Sequence, residues 1–254
     1  MDEQPVRTRI DEQRLLAAAE PAIEFASNQS AEECIVILAH DLRNYITSIH
    51  GHLTMLHKRA QREQEERDSQ LAARAQQTLE QMDRLIANVL DTVRMQRGFF
   101  ELIPQVFDLA LLARQCAELI QTDSNPIKLD LPPTASMYGD KERLRQALHN
   151  LLANAIQYSP AETPVTLSLA VETRADGPWM VLDVCDQGAG IPPDILPQIF
   201  ERFAAGPRST GLGLGLYLVR GIALSHGGTL TVRSAPDMGT CFELALPGGS
   251  RITR

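Results

Sequence analysis

The stretch Leu38 to Ile46, LAHDLRNYI, carries three side chains whose types and spacing could do chemistry together. On helical spacing His40, Asp41 and Asn44 share one exposed face, while Leu38, Leu42, Ile46 and Ile49 turn inward. A neutral imidazole is a competent nucleophile near pH 7. A carboxylate beside it can keep one ring nitrogen protonated, so that the other carries the lone pair. A His next to an Asp on a surface helix is ordinarily a solvated pair, and the pattern gains meaning only from what lies further along the chain.

Four later stretches supply that context. In RLRQALHNLLANAIQYSP, Asn150 and Asn154 are four apart on one helix face, with carboxamide oxygens suited to a hard cation such as magnesium. In DVCDQGAGIP, Asp186 sits at the carboxyl end of a strand, beside Gly188 and Gly190, which allow close backbone approach. After IFERF comes GLGLGLYLV, whose alternating glycines lead into a helix, so that backbone N–H groups and the helix dipole can face an anion. MGTCF opens the closing strand. Neither GxxxxGK[ST] nor a GxGxxG with a following ribose-binding acid is present, which disfavours Walker and Rossmann sites.

The elements that must position these residues can be read from periodicity. Residues 10–25 have helical composition interrupted by Pro21. Ser30 and Glu33 form a capping box, after which Ile35, Leu38, Leu42, Ile49 and Leu56 recur at steps of three, four and seven. The polar run RAQREQEERDSQ breaks the pattern. A second seam then follows through Leu71, Ala75, Met82, Leu85 and Val89, with Leu79, Ile86 and Val93 beside it. Two long helices in an antiparallel hairpin cannot bury both apolar stripes alone, so a second copy completing a four-helix bundle is expected. Gly98 ends the second helix, and FFELIPQVF reads as a partly extended linker whose apolar residues pack. Beyond it, Asp108 caps a helix to about Ile120, IKLDL is a short strand, and a helix runs from Asp140 to about Tyr158. VTLSLAVE and WMVLDVCD should pair, with Gly177-Pro178 in their turn. A short helix near 193–203, a helix ending at His226, and strands TLTVRS and TCFELALP close an α+β layer, helices on one face of a mixed sheet.

A formal charge of -8 argues against nucleic acid or an anionic membrane as the main partner. Cys34, Cys116, Cys185 and Cys241 lack zinc-ligand or framework spacing and read as buried thiols in a reducing compartment. No apolar run is long enough to span a bilayer and MDEQPVRTRIDEQ is too polar for a signal peptide, so the expectation is a cytoplasmic chain. His50, His52, His57 and His149 read as surface residues, and His226 as a helix C-terminal cation or turn residue.

From Asp140 to Phe242 the chain resembles the ATP-binding domain of sensor histidine kinases, with that family's four boxes in order. LAHDLRNYI resembles the phosphoacceptor box of the same family's dimerisation hairpin, so the resemblance covers nearly everything after residue 30. It implies a lead-in over 1–29, a dimerisation and phosphotransfer hairpin over 30–98, a linker over 99–107, a Bergerat-type α/β sandwich over 108–248 and a tail over 249–254. It implies Mg-ATP as phosphoryl donor, a homodimer, a response-regulator receiver domain as partner, and a separate sensory protein as the source of input. By position, Asn150 and Asn154 would hold magnesium and phosphates, and Asp186 would bond the adenine amino group. Gly188 and Gly190 would shape the base pocket, and Gly211, Gly213 and Gly215 would approach the phosphates. Tyr158, Arg208, Leu212, Leu214 and Thr240 would complete the nucleotide site. His40 would accept the γ-phosphoryl group, Asp41 would orient and activate it, and Asn44 would position water for dephosphorylating the regulator. Three departures stand out: Tyr45 where the family has Pro, Gln157 where it often has a basic residue, and a short lid, AAGPRST, with Arg208 as its only cation. They motivate an alternative reading, a degenerate scaffold that binds nucleotide and sequesters a receiver. A wider-superfamily ATPase or protein-serine kinase is a third reading, which the seam bearing HDLRN disfavours.

Overall fold

The computed structural model describes residues 46–47, 49–59, 66–96, 100–122, 124–204 and 212–248 of the 254-residue chain. It divides into two compact units, Met1–Val93 and Arg94–Arg254. The 10–25 segment, the Ser30–Glu33 box, seam residues Ile35, Leu38 and Leu42, and Tyr45 lie outside the described residues.

In the first unit, residues 49–59 are helical (α1) and α2 spans Glu66–Gln96. Gln76 Nε2 donates to Thr54 Oγ1 at 2.9 Å, and His57 Nδ1 lies 3.0 Å from Ser69 O and 3.2 Å from Ser69 Oγ. Positions that advance along α1 meet positions that retreat along α2, so the two helices are antiparallel. His57 is thus a tie between helices rather than plain surface. On α2 the buried apolar positions among the described residues are Ala72, Leu79, Leu90 and Val93, whereas Leu71 and Met82 of the proposed seam are exposed, as are Ile49 and Leu56 of α1. An antiparallel pair covers one stripe of each helix and leaves the other, because each helix is apolar over more than one face.

The second unit is built on a five-stranded sheet of order β2-β4-β5-β7-β6. Its strands are β2 (Ile127–Asp130), β4 (Val165–Arg174), β5 (Gly177–Cys185), β6 (Thr229–Ser234) and β7 (Thr240–Pro247). β2 runs parallel to β4 and the remaining pairs are antiparallel. Helices α3 (Leu109–Ile120), α4 (Lys141–Tyr158) and α5 (Gly215–Ser225) supply the other half of the core. Alternation sets which strand residues point inward: Leu182 and Val184 on β5, and Phe242, Leu244 and Leu246 on β7, meet Leu144, Leu148, Leu151 and Leu152 of α4 and Leu218 and Ile222 of α5. Asp108 caps α3 as expected, accepting from Ala110 N and Leu111 N. Its third bond, from Ala135 N at 3.0 Å, is the main reason its carboxyl is held below the ordinary value.

Four features differ from expectation. A small antiparallel sheet pairs β1 (Gln105–Asp108) with β3 (Ser136–Gly139), so the end of the linker is a strand; four residues are too few to show an alternation. Of the linker's apolar residues, Phe100 and Phe107 pack against the core while Ile103 is exposed. The β4–β5 turn is Ala175-Asp176, and Gly177, at φ +124°, already pairs with Arg174. In place of a helix near 193–203 there is a single 3-10 turn, Leu196–Gln198, in a segment broken by Pro192, Pro193 and Pro197.

Two of the four cysteines also depart from reduced buried thiols, and Cys34 lies outside the described residues. Cys185 and Cys241 face one another in the β5–β7 register and are joined as a disulfide. Their 56-residue separation gives no spacing signal, since cross-strand pairing is set by topology. Cys116 is buried and free, its thiol pushed up by burial.

His226 is the turn residue that follows α5, but it is not the cation that this place could also hold. It closes α5 from the interior, its Nε2 accepting from the Asp140 N–H at 3.0 Å and its Nδ1 donating to Ile222 O at 2.8 Å. A backbone N–H can only donate, so the imidazole is neutral with the proton on Nδ1. Asp140 in turn caps α4 through Glu142 N and Arg143 N, and its Oδ2 accepts from Ile103 N of the linker. One network therefore joins the linker, the start of α4 and the end of α5. Burial is the main cause that lowers the His226 pKa below its ordinary value. The unfolded chain then binds this proton first as pH falls, so stability rises with pH between the lowered folded value and about 6.5. Chemical denaturation of wild type across that window should show this slope, and the His226→Asn variant should lose it; equal slopes would refute the buried neutral ring.

Candidate functional site

Asp186 follows the last residue of β5, where the strand ladder ends. Its backbone N–H still pairs with Thr240 O at 2.8 Å, while its Oδ1 accepts from Gly188 N at 2.7 Å and Thr240 N at 3.2 Å. Both bonds go to one oxygen, and Oδ2 accepts from no described residue. Burial is the main cause that raises its pKa, opposed by the two backbone bonds. The site thus presents a fixed, half-buried carboxylate with one oxygen committed to the backbone and the other available to a donor.

The glycines around it are required by close approach. A Cβ on Gly188 would stand 2.5 Å from Tyr158 O, which seats the loop against the end of α4. Gly190 has φ +73°, and its Cβ would meet Ala235 O. The Gly190→Ala variant should lose about 1–3 kcal/mol of stability through forced overpacking, beyond the left-handed backbone strain that Gly177→Ala, with open space around it, would also suffer. Equal losses in the two variants, measured by denaturant titration, would show that Ala235 moves aside freely.

At the other end of the site, α5 begins at Gly215 with Leu214 at its cap position, and no side chain caps it, so its first N–H groups face outward. Gly213, at φ +68°, makes the turn into the helix against the Phe203–Ala204 backbone. Asn150 lies against this terminus: a Cβ on Gly215 would be 3.8 Å from Asn150 Cγ. Asn150 Nδ2 is buried and has no partner among the described residues. A buried amide without a partner is costly in a folded protein. Here it stands beside a helix N-terminus, an arrangement that suits an anionic oxygen for the amide N–H and a hard cation for the amide oxygen. Asn154, one turn along α4, is half-buried.

Of the residues singled out from the sequence, Tyr158, Asp186, Gly188 and Thr240 come together at one end, and Asn150, Gly213, Leu214 and Gly215 at the other. Leu212 is exposed and Gln157 lies on the exposed side of α4. His40, Asp41, Asn44, Arg208 and Gly211 lie outside the described residues. Two positions were not foreseen. Gly239, at φ +76°, passes so close to Asp186 O that a Cβ would clash. Ser234 Oγ accepts from Ile191 N at 2.9 Å and donates to Gly239 O at 2.9 Å, tying the loop after Asp186 to the β6–β7 turn. Gly239 lies in the MGTCF stretch and could have been read as a left-handed turn residue; Ser234 has no sequence signal.

Residues 139–250 match the family model of histidine kinase-, DNA gyrase B-, and HSP90-like ATPases, and residues 31–98 match that of the His Kinase A (phospho-acceptor) domain. Sensor protein KdpD of Escherichia coli is 32% identical over 93% of this chain and 27% of its own length. The adaptive-response sensory kinase SasA of Rippkaea orientalis is 32% identical over 84% of this chain and 57% of its own. The chain thus spans about a quarter to a little over half of these curated relatives. Among solved structures, full-length ShkA in complex with AMPPNP superposes with a TM-score of 0.66 at 25% identity, over 87% of this chain and 47% of that one. The mycobacterial sensor histidine kinase MprB does so with a TM-score of 0.51 at 30% identity, over 57% of this chain and 98% of that one. A phospho-acceptor domain followed by an ATPase-type domain, with a sensor kinase matched over nearly its whole solved length, places this chain in the sensor histidine kinase family.

Proposed function

We propose that the chain is a dimeric protein-histidine kinase that uses Mg-ATP to phosphorylate His40 and passes the phosphoryl group to an Asp of a response-regulator receiver domain, with dephosphorylation of that regulator as a second activity. The observation that carries this reading is the buried Asn150 amide, unpartnered among the described residues, beside the N-terminus of α5. In this reading Asp186 Oδ2 accepts the adenine amino group, while its other oxygen keeps the base loop in place. Asn150 and Asn154 direct carboxamide oxygens to a magnesium ion, and Asn150 Nδ2 donates to a phosphate oxygen. A magnesium ion held by these residues would supply charge neutralisation to the triphosphate. The first N–H groups of α5 add donors aligned with the helix dipole. His40 attacks the γ-phosphorus through the ring nitrogen that Asp41 leaves unprotonated, the bond to the bridging oxygen breaks and ADP leaves, and Asn44 holds water for hydrolysis of the regulator's aspartyl phosphate. Positioning and charge stabilisation carry most of the catalysis, because phosphoryl transfer asks little covalent chemistry of the protein.

The exposed apolar residues Ile49, Leu56, Leu71 and Met82 support a second copy covering the hairpin. No helix among the described residues is long and apolar enough to cross a membrane, in line with the cytoplasmic placement we infer. Incubation with γ-labelled ATP tests the proposal. A phosphorylated nitrogen is acid-labile and base-stable, so label with that stability, transferable to a receiver domain, is the expected outcome. Label that survives acid would point to a hydroxyl acceptor and sink the assignment.

A further inference from the structure

Cys185 and Cys241 stand at a position that nothing in the kinase reading uses. They are directly opposed in the β5–β7 register with Cα atoms 4.0 Å apart, the close spacing of a non-hydrogen-bonded cross-strand pair, and they are joined through their sulfurs. The next residues on the two strands are Asp186 and Thr240, linked by Asp186 N–H to Thr240 O at 2.8 Å and Thr240 N–H to Asp186 Oδ1 at 3.2 Å. The covalent link is therefore one residue from the carboxylate that the proposed adenine contact depends on. Strand alternation puts both sulfurs on the sheet face opposite the core, with Asp183 and Glu243, and both cysteines are half-exposed. On that face the Arg233 guanidinium reaches Cys241 Sγ at 3.7 Å while bridging Asp183 and Glu243. The other cysteine of this unit, Cys116, is buried in the core. The Asp183 carboxylate lies at the same 3.7 Å from Cys241 Sγ, so this sulfur has both a cation and an anion beside it. Partly exposed sulfurs exchange more readily than buried ones.

We propose that Cys185 and Cys241 form a thiol–disulfide exchange site, reacting with a low-molecular-weight thiol and its disulfide, whose oxidation state sets the affinity of the neighbouring nucleotide pocket. Reduction begins when an external thiolate attacks Cys185 Sγ, forming a mixed disulfide and releasing Cys241 as a thiolate beside Arg233. A second external thiolate attacks the sulfur of the bound small molecule, which leaves as the oxidised dimer. Cys185 departs as a thiolate, and both protein sulfurs take protons from solvent. Two electrons pass from two small thiols to the protein, and oxidation by the small disulfide is the reverse. Once reduced, two sulfurs can no longer share a bond across a 4.0 Å Cα spacing and must separate to non-bonded distance. The ends of β5 and β7, and with them the Asp186–Thr240 pairing, lose their covalent tie. Disulfides of intracellular chains are characteristically such transient, redox-sensing bonds.

The coupling rests on the nucleotide reading above, and the experiment separates the two. The full chain is equilibrated with oxidised or reduced glutathione, freed of it, and divided between alkylation with mass mapping and Mg-ATP titration by calorimetry. Two thiols, Cys185 and Cys241, should become alkylatable only after reduction, and the oxidised chain should bind Mg-ATP about fivefold tighter, the lower end of couplings between linked sites. The Cys116→Ser variant should keep this response and Cys241→Ser should lose it. If both thiols are alkylated equally in either buffer, the exchange site does not exist. A Cys185–Cys241 bond that responds to glutathione while wild-type affinity stays the same overturns the coupling. A chain that binds no Mg-ATP in either state refutes the nucleotide reading and the coupling with it, while the thiol map still decides the exchange site.

Discussion

The His40→Gln variant is expected to incorporate no phosphoryl label from γ-labelled ATP, while its Mg-ATP affinity stays within about twofold of wild type. A carboxamide nitrogen has no available lone pair, because it is delocalised into the carbonyl, so Gln keeps the side chain's polarity and helix compatibility without a nucleophile. Binding should be indifferent, because in this reading the nucleotide is held by Asp186, Asn150 and the start of α5, and His40 supplies only the lone pair for the transfer step. His40 lies in the unit Met1–Val93, and the residues assigned to nucleotide in Arg94–Arg254. Label on the variant would mean another acceptor. Loss of label accompanied by loss of ATP affinity would mean that His40 acts on binding, and the nucleophilic role would fall. The measurement pairs acid- and base-stability of the label with calorimetry on the same preparation.

How legible this molecule was depends on the range of the interaction. The α4 helix, the Asp108 cap of α3, the β4–β5 pairing and the two closing strands were all visible, because each is encoded by local periodicity or by a cap a few residues from what it caps. The residues assigned to nucleotide were singled out from motif types, yet the property that makes Asn150 chemically informative, a buried amide beside the start of α5, exists only after α4 and α5 have packed. His226 was read as a cation or a turn residue, and what decides for a neutral turn residue is equally tertiary: its partner is a backbone N–H 86 residues earlier. The β1–β3 sheet and the Cys185–Cys241 pair are likewise tertiary, the first too short for a pattern and the second fixed by strand order. The α2 seam shows a subtler limit. Periodicity correctly marks more than one apolar stripe but cannot rank which is covered within the chain, so Leu71 and Met82 are exposed while Ala72 and Leu79 are buried.

Asp186→Asn should separate binding from folding most sharply. The Asn carbonyl oxygen can take the place of Asp186 Oδ1 and keep both backbone bonds, from Gly188 N and Thr240 N, so the loop should remain in place. Its amide nitrogen then replaces Oδ2 and turns a donor toward the adenine amino group, which is also a donor. A charge-assisted bond of about 1.5–3 kcal/mol is lost, and the new contact is repulsive, so Mg-ATP affinity should fall by roughly a hundredfold. Stability should move the other way. Burial raises the Asp186 pKa above its unfolded value, so the folded chain binds this proton more readily. The carboxyl's contribution to stability is full below about pH 3.8, is lost as pH rises through the raised folded value, and the ionised group is a burden at neutral pH. Asn carries no charge, and the variant should be as stable as wild type at pH 7 or more so. In wild type, Mg-ATP affinity should weaken as pH falls through that raised value, because a protonated carboxyl presents an acceptor less suited to the amino group, and the variant should not share this dependence. Calorimetry and denaturant titration of both proteins across the acid range give the comparison. An Asp186→Asn protein that binds Mg-ATP as wild type does would remove the adenine contact, and one that binds weakly only because it is unfolded would show that the carboxylate serves the loop rather than the ligand.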